Sequence, residues 1–220
     1  MTNKEFKPIL AIETSDELCS TAIMLSEDSF AEINFQKKFV HSEKLMPMIS
    51  DLLKNANIKL DDVGSIAVSM GPGSFTGLRI GLTIAKGLAA GRKLPIIPVP
   101  TFDALAFQLS SIIPIGTSFI IANNANINEM YFAKYRVVEN RFEIVNGSCL
   151  VEKSKFQSML EDGDLLFGNF TIAKKDFRSS SPNASAVAKW AYLFGEDLVT
   201  FDHDLLEPNY LKKFIVKVKK

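Results

Sequence analysis

Residues 71–77 (GPGSFTG) are the segment that most directly suggests chemistry, because this glycine-rich turn leads from an apolar run into a helical run. Such a turn presents free backbone N–H groups, and the helix dipole draws anions toward them. The spacing fits neither nucleotide template. Leu78 and Arg79 stand where a P-loop has lysine and a hydroxyl, and the last glycine comes one residue too late for a dinucleotide fingerprint. A tight turn that packs strand against helix is therefore favoured over a phosphate site.

Few other residues could form a catalytic set. His41 and His203 are the only histidines and are far apart in sequence, whereas zinc and iron sites usually need clustered ligands. Cys19 and Cys149 fall in strand-like runs, where thiols are usually buried and inert. Residues 13–15 (ETS) could hold a magnesium phosphate, but their turn lacks a glycine that would bring backbone amides close. A triad built from distant residues stays open, because sequence alone does not show which side chains meet.

Length and charge limit the classes of function. The 220 residues are 47% hydrophobic, enough for one large core or for two lobes. Basic and acidic residues number 25 each, and this zero net charge argues against a dedicated nucleic-acid-binding protein, whose affinity comes from a basic surface. No apolar run approaches the roughly 20 residues that span a bilayer, and the N-terminus lacks a signal-peptide region. We therefore expect a soluble, cytoplasmic protein.

Apolar periodicity predicts the order β-β-β-α-β-α-β for the first hundred residues. Strands are predicted at 8–14, 19–26, 31–36, 63–69 and 94–99, and helices at 41–57 and 76–91. Three hairpin strands followed by crossover connections give a mixed sheet with helices packed against it.

Pro95, Pro98 and Pro100 precede the next predicted helix, at 101–111, and mark a boundary between a lobe of residues 1–100 and a lobe of residues 101–220. Both halves carry strands, a hairpin and helices, as a weakly duplicated α/β fold would. The last segment of the second lobe is free to pack back on the first lobe. The second lobe is predicted to contain strands at 118–122, 129–138, 141–145 and 165–167 and helices near 154–160 and 183–194.

The helix predicted at 76–91 carries small residues at every fourth position, namely Gly77, Gly81, Ala85 and Ala89. A stripe of this kind lets another backbone approach closely. Because an internal glycine costs about 1 kcal/mol relative to alanine, a close neighbour is expected to offset that cost. The neighbour is either the chain's own sheet or a helix of another subunit, and the sequence leaves both open.

Several motifs together are similar to those of the TsaB (YeaZ) family. The resemblance covers nearly the whole chain and is strongest over residues 9–106. It implies an α/β, actin-like ASKHA fold of two lobes, each with a mixed sheet flanked by helices. The motifs are ILAIETS at 9–15 followed by Cys19-Ser20, HSExLxPxI at 41–49, GPGSFTGLRIG at 71–81, AKGLA at 85–89, TxxALA at 101–106 and EPxYL at 207–211.

The resemblance implies a non-catalytic dimerisation and activating subunit in the synthesis of N6-threonylcarbamoyladenosine at position 37 of tRNAs that read ANN codons. Its partners would be a TsaD-like catalytic subunit and a TsaE-like ATPase, with a homodimer when alone and tRNA reached only through the complex. No catalytic, metal or cofactor residue of its own is implied, and ATP or ADP at the interface with the catalytic partner is left open. Leu45 replaces the second histidine of the H-x-x-x-H metal pair of the catalytic paralogue, which agrees with this role.

Carried over by position, the partner contacts lie on the predicted helices at 41–53 and 76–88. Apolar side chains of the first helix would supply contact area, and the small stripe of the second would permit close crossing. The predicted contact residues are His41, Ser42, Glu43, Leu45, Met46, Met48, Ile49, Leu52, Thr76, Gly77, Arg79, Ile80, Gly81, Ile84 and Ala85.

Two departures from the family pattern affect the second lobe and any nucleotide contact. Residues 124–131 read NANINEMY where the family usually has D-A-R-x-x-E-V-Y, and Glu13 stands where aspartate is more common. Three other functions are considered: an ASKHA-type nucleotide-binding kinase or ATPase, a metallo-glycopeptidase, and a free-standing homodimeric binding module. A tail with lysines at 212, 213, 217, 219 and 220 is interpreted as a frayed, solubilising end in preference to a tRNA contact.

Overall fold

The computed structural model describes residues 6–139, 141–172, 175–176 and 180–211, in which two β-sheets are flanked by helices. The first sheet has the strand order β3-β2-β1-β4-β5, with β1, β2 and β3 antiparallel and β4 and β5 parallel to β1. The helices that follow β3 and β4 are α1 (His41–Asn55) and α2 (Phe75–Arg92). The strands are β1 (Ile9–Glu13), β2 (Leu18–Ser26), β3 (Ser29–Gln36), β4 (Ser65–Ser69) and β5 (Ile96–Val99).

The second sheet has the strand order β8-β7-β6-β9, with β6, β7 and β8 antiparallel and β9 parallel to β6. Its strands are β6 (Ser118–Asn124), β7 (Glu129–Val138), β8 (Arg141–Glu152) and β9 (Leu165–Gly168). The remaining elements are α3 (Thr101–Ser110), α4 (Lys153–Phe156), the two-residue strands β10 (Thr171–Ile172) and β11 (Lys175–Asp176), α5 (Ala184–Phe194) and three short 3₁₀ helices (Leu60–Asp62, Gln157–Met159 and Glu196–Leu198). The predicted α/β fold with two mixed sheets is confirmed.

The apolar side of α1 is fully used within the chain. Leu45, Met48, Ile49 and Leu52 recur at helical spacing, and all four are buried in a core that they share with β1, β2 and β4. Burying a side chain of this size contributes roughly 1.5–3 kcal/mol. The outward side of α1 is consequently the only part of this helix that a partner can reach.

The glycines of α2 bring that helix unusually close to the end of β1. A Cβ on Gly77 would overlap the carbonyl oxygen of Thr14, and a Cβ on Gly81 would overlap its side-chain hydroxyl. The Thr14 hydroxyl also donates a hydrogen bond to Gly77 O at 2.8 Å. The small stripe therefore serves packing on the chain's own sheet. In contrast, a Cβ on Gly87 would meet no atom within 4 Å.

Helices α3 and α5 lie between the two sheets. α5 packs against β1, β2, β4 and β5 through its alanines, Val187 and Trp190, while α3 contributes Ala104 to that core and Phe102 to the core of the second sheet. Residues 200–211 then follow the first sheet, where the Thr200 backbone pairs with Ile96. The boundary at residue 100 thus separates the two sheets, whereas residues 184–211 pack mainly on the first one, with Phe194 also against Phe142 of β8.

The predicted elements agree closely with the structure, with two differences. β8 continues to Glu152, seven residues beyond the predicted end at Val145, because its exposed face masks the alternation. The short pair β10 and β11 was not predicted, since two-residue strands carry no periodicity. The lysine-rich tail at 212–220 lies outside the described residues. Within the described ranges, no helix combines the length and hydropathy needed to cross a bilayer.

We expect substitutions of the α2 glycines to affect stability in opposite directions. Gly77→Ala should destabilise the chain by about 3 kcal/mol or more, because the new methyl group overlaps backbone that cannot move freely. Gly87→Ala should stabilise it by about 1 kcal/mol, since its Cβ enters open space on a helix. Urea unfolding followed by circular dichroism measures both. Equal effects of the two changes would show that the contact with Thr14 does not constrain α2.

Candidate functional site

Glu13 closes the end of β1 as a buried carboxylate. Its side chain accepts a hydrogen bond from Ser15 N at 2.5 Å and another from the Ser69 hydroxyl, and it is fully shielded from solvent. Burial raises the pKa of Glu13 to about 7, although the hydrogen bonds from Ser15 and Ser69 oppose that rise. Both carboxylate oxygens are therefore used to hold the turn after β1 and to join it to β4.

The glycine-rich loop at 71–77 is folded onto this turn. Ser74 N donates to Ser15 O at 2.6 Å, and an ideal Cβ on Gly73 would lie 2.5 Å from the same oxygen. Gly71 has a φ of +106° and exchanges hydrogen bonds with Thr101, whose hydroxyl accepts from Gly71 N at 2.9 Å. The tight-turn interpretation is confirmed, because the amides of Gly71 and Ser74 are occupied within the chain.

A cleft of about 340 Å³ lies between the two sheets above this loop. Asn169 spans it: its Nδ2 donates to Asp16 Oδ2 at 3.1 Å, and its Oδ1 accepts from Asn124 N at 2.6 Å. The lining residues are Ser15, Asp16, Gly73, Ser74, Phe75, Asn123, Asn124, Ala125, Asn126, Tyr131, Asn169 and Tyr210. The cleft is thus crossed by hydrogen bonds from the chain itself.

The asparagines that depart from the family pattern have local structural roles. Asn124 is paired with Asn169 through its backbone and its side chain. Asn126 Oδ1 accepts from the backbone of Asn128 and Glu129, and its Nδ2 donates to Glu129 Oε2 at 2.6 Å. These bonds fix the β6–β7 connection in the way that short polar side chains commonly fix turns.

The structure divides the predicted contact residues of α1 and α2 into two groups. Eight are buried within the chain, where the sheet and the neighbouring helix cover their side chains or backbones, and their assignment to a partner interface stays a prediction. These are His41, Leu45, Met48, Ile49, Leu52, Gly77, Gly81 and Ala85. Ser42, Glu43, Met46, Thr76 and Arg79 are exposed, and Ile80 and Ile84 are half-buried.

The accessible surface of the two helices forms an outer strip, which we define as Phe39, Ser42, Met46, Thr76, Arg79, Ile80, Thr83 and Gly87. Phe39 is 95% exposed and has a φ of +60°, a conformation that is unfavourable for a bulky residue. Met46 is 44% exposed one turn into α1. A groove of about 420 Å³ is lined by Phe39, Ser42, Thr76 and Ile80. Strain and exposed apolar area in one place are typical of binding surfaces.

Sequence reasoning missed Phe39 and the role of Tyr210. The only signal for Phe39 was an aromatic residue between Lys38 and the start of α1, which is also common in cores. Tyr210 lies in the C-terminal EPxYL motif, but its hydroxyl accepts a hydrogen bond from Arg79 Nε at 2.9 Å. A contact between residues so far apart in sequence has no local pattern.

Comparison with protein families gives one match over most of the chain. A family model described as TsaD, tRNA N6-adenosine threonylcarbamoyltransferase, matches residues 37–217. The proteins named tRNA threonylcarbamoyladenosine biosynthesis protein TsaB are similar in sequence. That of Haemophilus influenzae is 37% identical over 129 residues, 57% of this chain and 52% of the relative. That of Buchnera aphidicola subsp. Acyrthosiphon pisum is 31% identical over 155 residues, 70% and 69% of the two chains. The chain spans about half of the length of the first of these relatives.

Two solved structures have the same fold. A protein of Pseudomonas aeruginosa described as similar to peptidase YEAZ superposes with a TM-score of 0.76 at 25% identity, covering 93% of this chain and 99% of that one. YeaZ from Pseudomonas aeruginosa superposes with a TM-score of 0.75 at 23% identity, covering 92% and 99%. The agreement extends over both sheets.

Titration of Glu13 should make the stability of the chain depend on pH. Its pKa is raised from 4.5 to about 7 in the folded state, so the folded chain binds the proton more tightly than the unfolded chain. The free energy of unfolding is therefore expected to fall by an amount on the order of 3 kcal/mol as pH rises from about 4.5 to about 7. Above pH 7, Glu13 should cause no further change. Urea unfolding between pH 5 and 8 measures this loss. Glu13→Gln, which keeps the shape, should remove it, and an unchanged slope in that variant would assign the titration to another group.

Proposed function

The chain belongs to the tRNA N6-adenosine threonylcarbamoyltransferase family and, within it, to the TsaB (YeaZ) group, and we propose that it is a non-catalytic subunit that activates a TsaD-like transferase. In this proposal the complex modifies adenosine 37 of tRNAs that read ANN codons, and the chain acts by binding the transferase through α1 and α2. The observation that carries the proposal is the outer strip, where exposed apolar side chains border an open groove.

The chemistry of the outer strip suits a protein partner. An exposed aromatic and an exposed methionine lose water-accessible area when they are covered, and aromatic residues are prominent among the residues that dominate binding energy. Methionine adapts to differently shaped partners. We therefore propose that the free chain forms a homodimer through the same strip, and that the TsaD-like partner displaces the second copy.

The glycine loop and the cleft support a role other than nucleotide chemistry in the isolated chain. A phosphate on this loop would need free backbone amides, and those of Gly71, Ser74 and Gly77 already donate within the chain, to Thr101, Ser15 and the Ser74 hydroxyl. Glu13 is likewise engaged by Ser15 and Ser69. We propose no cofactor for the chain alone and place any ATP or ADP at the interface with the catalytic partner.

The similarity to the transferase itself also supports a partner of the same fold. The tRNA N6-adenosine threonylcarbamoyltransferase of Staphylococcus epidermidis is 36% identical over 115 residues, 45% of this chain and 33% of that protein. Two related chains can present equivalent helices to each other, as in an isologous interface. In the proposed complex a TsaE-like ATPase joins these two chains, tRNA is reached only through the assembly, and the site of action is the cytoplasm.

Charged substitutions in the outer strip should abolish the complex without unfolding the chain. Met46→Glu and Ile80→Glu each bury a carboxylate at the proposed interface, which should weaken binding at least ten-fold. Light-scattering chromatography of each variant, mixed with the TsaD-like protein of the same organism, measures the heterodimer. Leu45 and Gly81 are unsuitable positions, since both are buried and their substitution would disturb the core.

Ile112→Glu is the matched control, because Ile112 is 76% exposed on the connection after α3, away from the outer strip. This variant should form the heterodimer like the wild type, and circular dichroism should show the same fold for all three. A heterodimer that persists in Met46→Glu and Ile80→Glu would place the interface elsewhere. Failure of the wild type to form any complex would refute the proposed function.

A further inference from the structure

Arg79 is an exposed cation near the start of α2. It is the fifth residue of the helix, just beyond the first turn, where repulsion of a positive charge by the helix dipole is already weak. Its side chain is exposed, so the charge is not required to fill the core. The contacts of its guanidinium group therefore indicate what this side chain can do.

Two aromatic rings hold the guanidinium group in a fixed orientation. Its central carbon lies 3.8 Å from the ring centroid of Phe75 and 5.7 Å from that of Tyr210, distances at which a cation is attracted to an aromatic ring. The two rings are 5.0 Å apart at an angle of 37°. Arg79 Nε donates to the Tyr210 hydroxyl at 2.9 Å. The plane of the guanidinium group is thus set before any partner arrives.

Tyr210 is itself held by the segment that returns along the first sheet. Asn209 N donates to Met70 O at 2.6 Å, immediately before the glycine-rich loop. Further back, the His203 ring donates from Nε2 to Leu94 O at 2.9 Å. These contacts hold the Tyr210 ring at the start of α2, although Tyr210 and Arg79 are 131 residues apart in sequence.

Within the part of the chain that the structure describes, most of the N–H donors of Arg79 have no acceptor. A guanidinium group has five N–H donors, and the Tyr210 hydroxyl occupies the one on Nε. Among the described residues, no carboxylate lies within 4 Å of Arg79, whereas Arg92 at the other end of α2 is paired with Asp61. The four N–H groups on the two terminal nitrogens form a fork that matches the two oxygens of a carboxylate.

We propose that Arg79 forms a bidentate ion pair with a carboxylate side chain of the TsaD-like partner, and that Tyr210 is the positioning residue that orients it. Arg79 adjoins Thr76, Ile80 and Thr83 on the outer strip, so the pair would form at the edge of the apolar contact. Because the guanidinium group is already ordered, little side-chain freedom is lost when it binds. This inference rests on the proposed function, which supplies the partner.

The test compares the affinities of four variants for the TsaD-like protein by isothermal titration calorimetry at low and high salt. We expect Arg79→Ala to weaken binding at least 30-fold and to reduce its dependence on salt. Arg79→Lys should recover little, because an ammonium group cannot make the paired hydrogen bonds. Tyr210→Phe keeps the ring and removes the hydroxyl, and it should weaken binding about five-fold. Arg92→Ala, the control on the same helix, should bind like the wild type.

Combining the two changes separates positioning from folding. If Tyr210 acts through Arg79, Tyr210→Phe should cause no further loss in a chain that already carries Arg79→Ala. An equal loss in both backgrounds would show that Tyr210 acts independently, and the positioning role would be wrong. Full recovery by Arg79→Lys would contradict a bidentate pair.

Other outcomes distinguish this inference from the proposed function. Wild-type affinity of Arg79→Ala for the partner would overturn the inference and leave the proposed function standing. If that variant binds the partner normally but the complex loses affinity for tRNA, the anion is a phosphate and the inference is wrong. If the wild-type chain binds no TsaD-like protein, both the inference and the proposed function are wrong.

Discussion

The close contact between the end of β1 and the start of α2 is the constraint on which the rest of the structure depends. Thr14 and Ser15 lie so near Gly73, Gly77 and Gly81 that no side chain fits between them. The contact is reinforced by hydrogen bonds in both directions, from the Thr14 hydroxyl to Gly77 O and from Ser74 N to Ser15 O. A strand–loop–helix arrangement of this type could hold an anion. In this chain, the residues at the end of β1 occupy the space beside the glycine-rich loop.

This packing determines which surfaces remain available. With α2 seated on the sheet, α1 buries its apolar side in the same core, and both helices present only their outward sides. The returning segment at 200–211 then covers the glycine loop and places Tyr210 beside Arg79. The cleft between the sheets is crossed by Asn169, whereas the outer strip is open. The outward sides of the two helices therefore stay accessible, and the proposed function uses that surface.

The sequence was a better guide to the fold than to the accessible surface, for physical reasons. Periodicity identifies buried faces, so every helix and strand of useful length was predicted, and the family resemblance supplied the way they assemble. The same periodicity does not separate core residues from contact residues: Leu45 and Ile49 belong to a regular apolar stripe that lies in the core. Exposed Phe39 and the pairing of Tyr210 with Arg79 depend on the folded geometry alone.

In the proposed function the outer strip, and not the cleft, carries the activity. The most direct test is the initial rate of threonylcarbamoyl transfer to tRNA in a mixture of the TsaD-like and TsaE-like proteins with this chain. We expect that transfer requires the chain, that Asn169→Ala in the cleft supports the wild-type rate, and that Met46→Glu in the outer strip supports none. Loss of transfer with Asn169→Ala and full transfer with Met46→Glu would contradict the proposal and assign the function to the cleft.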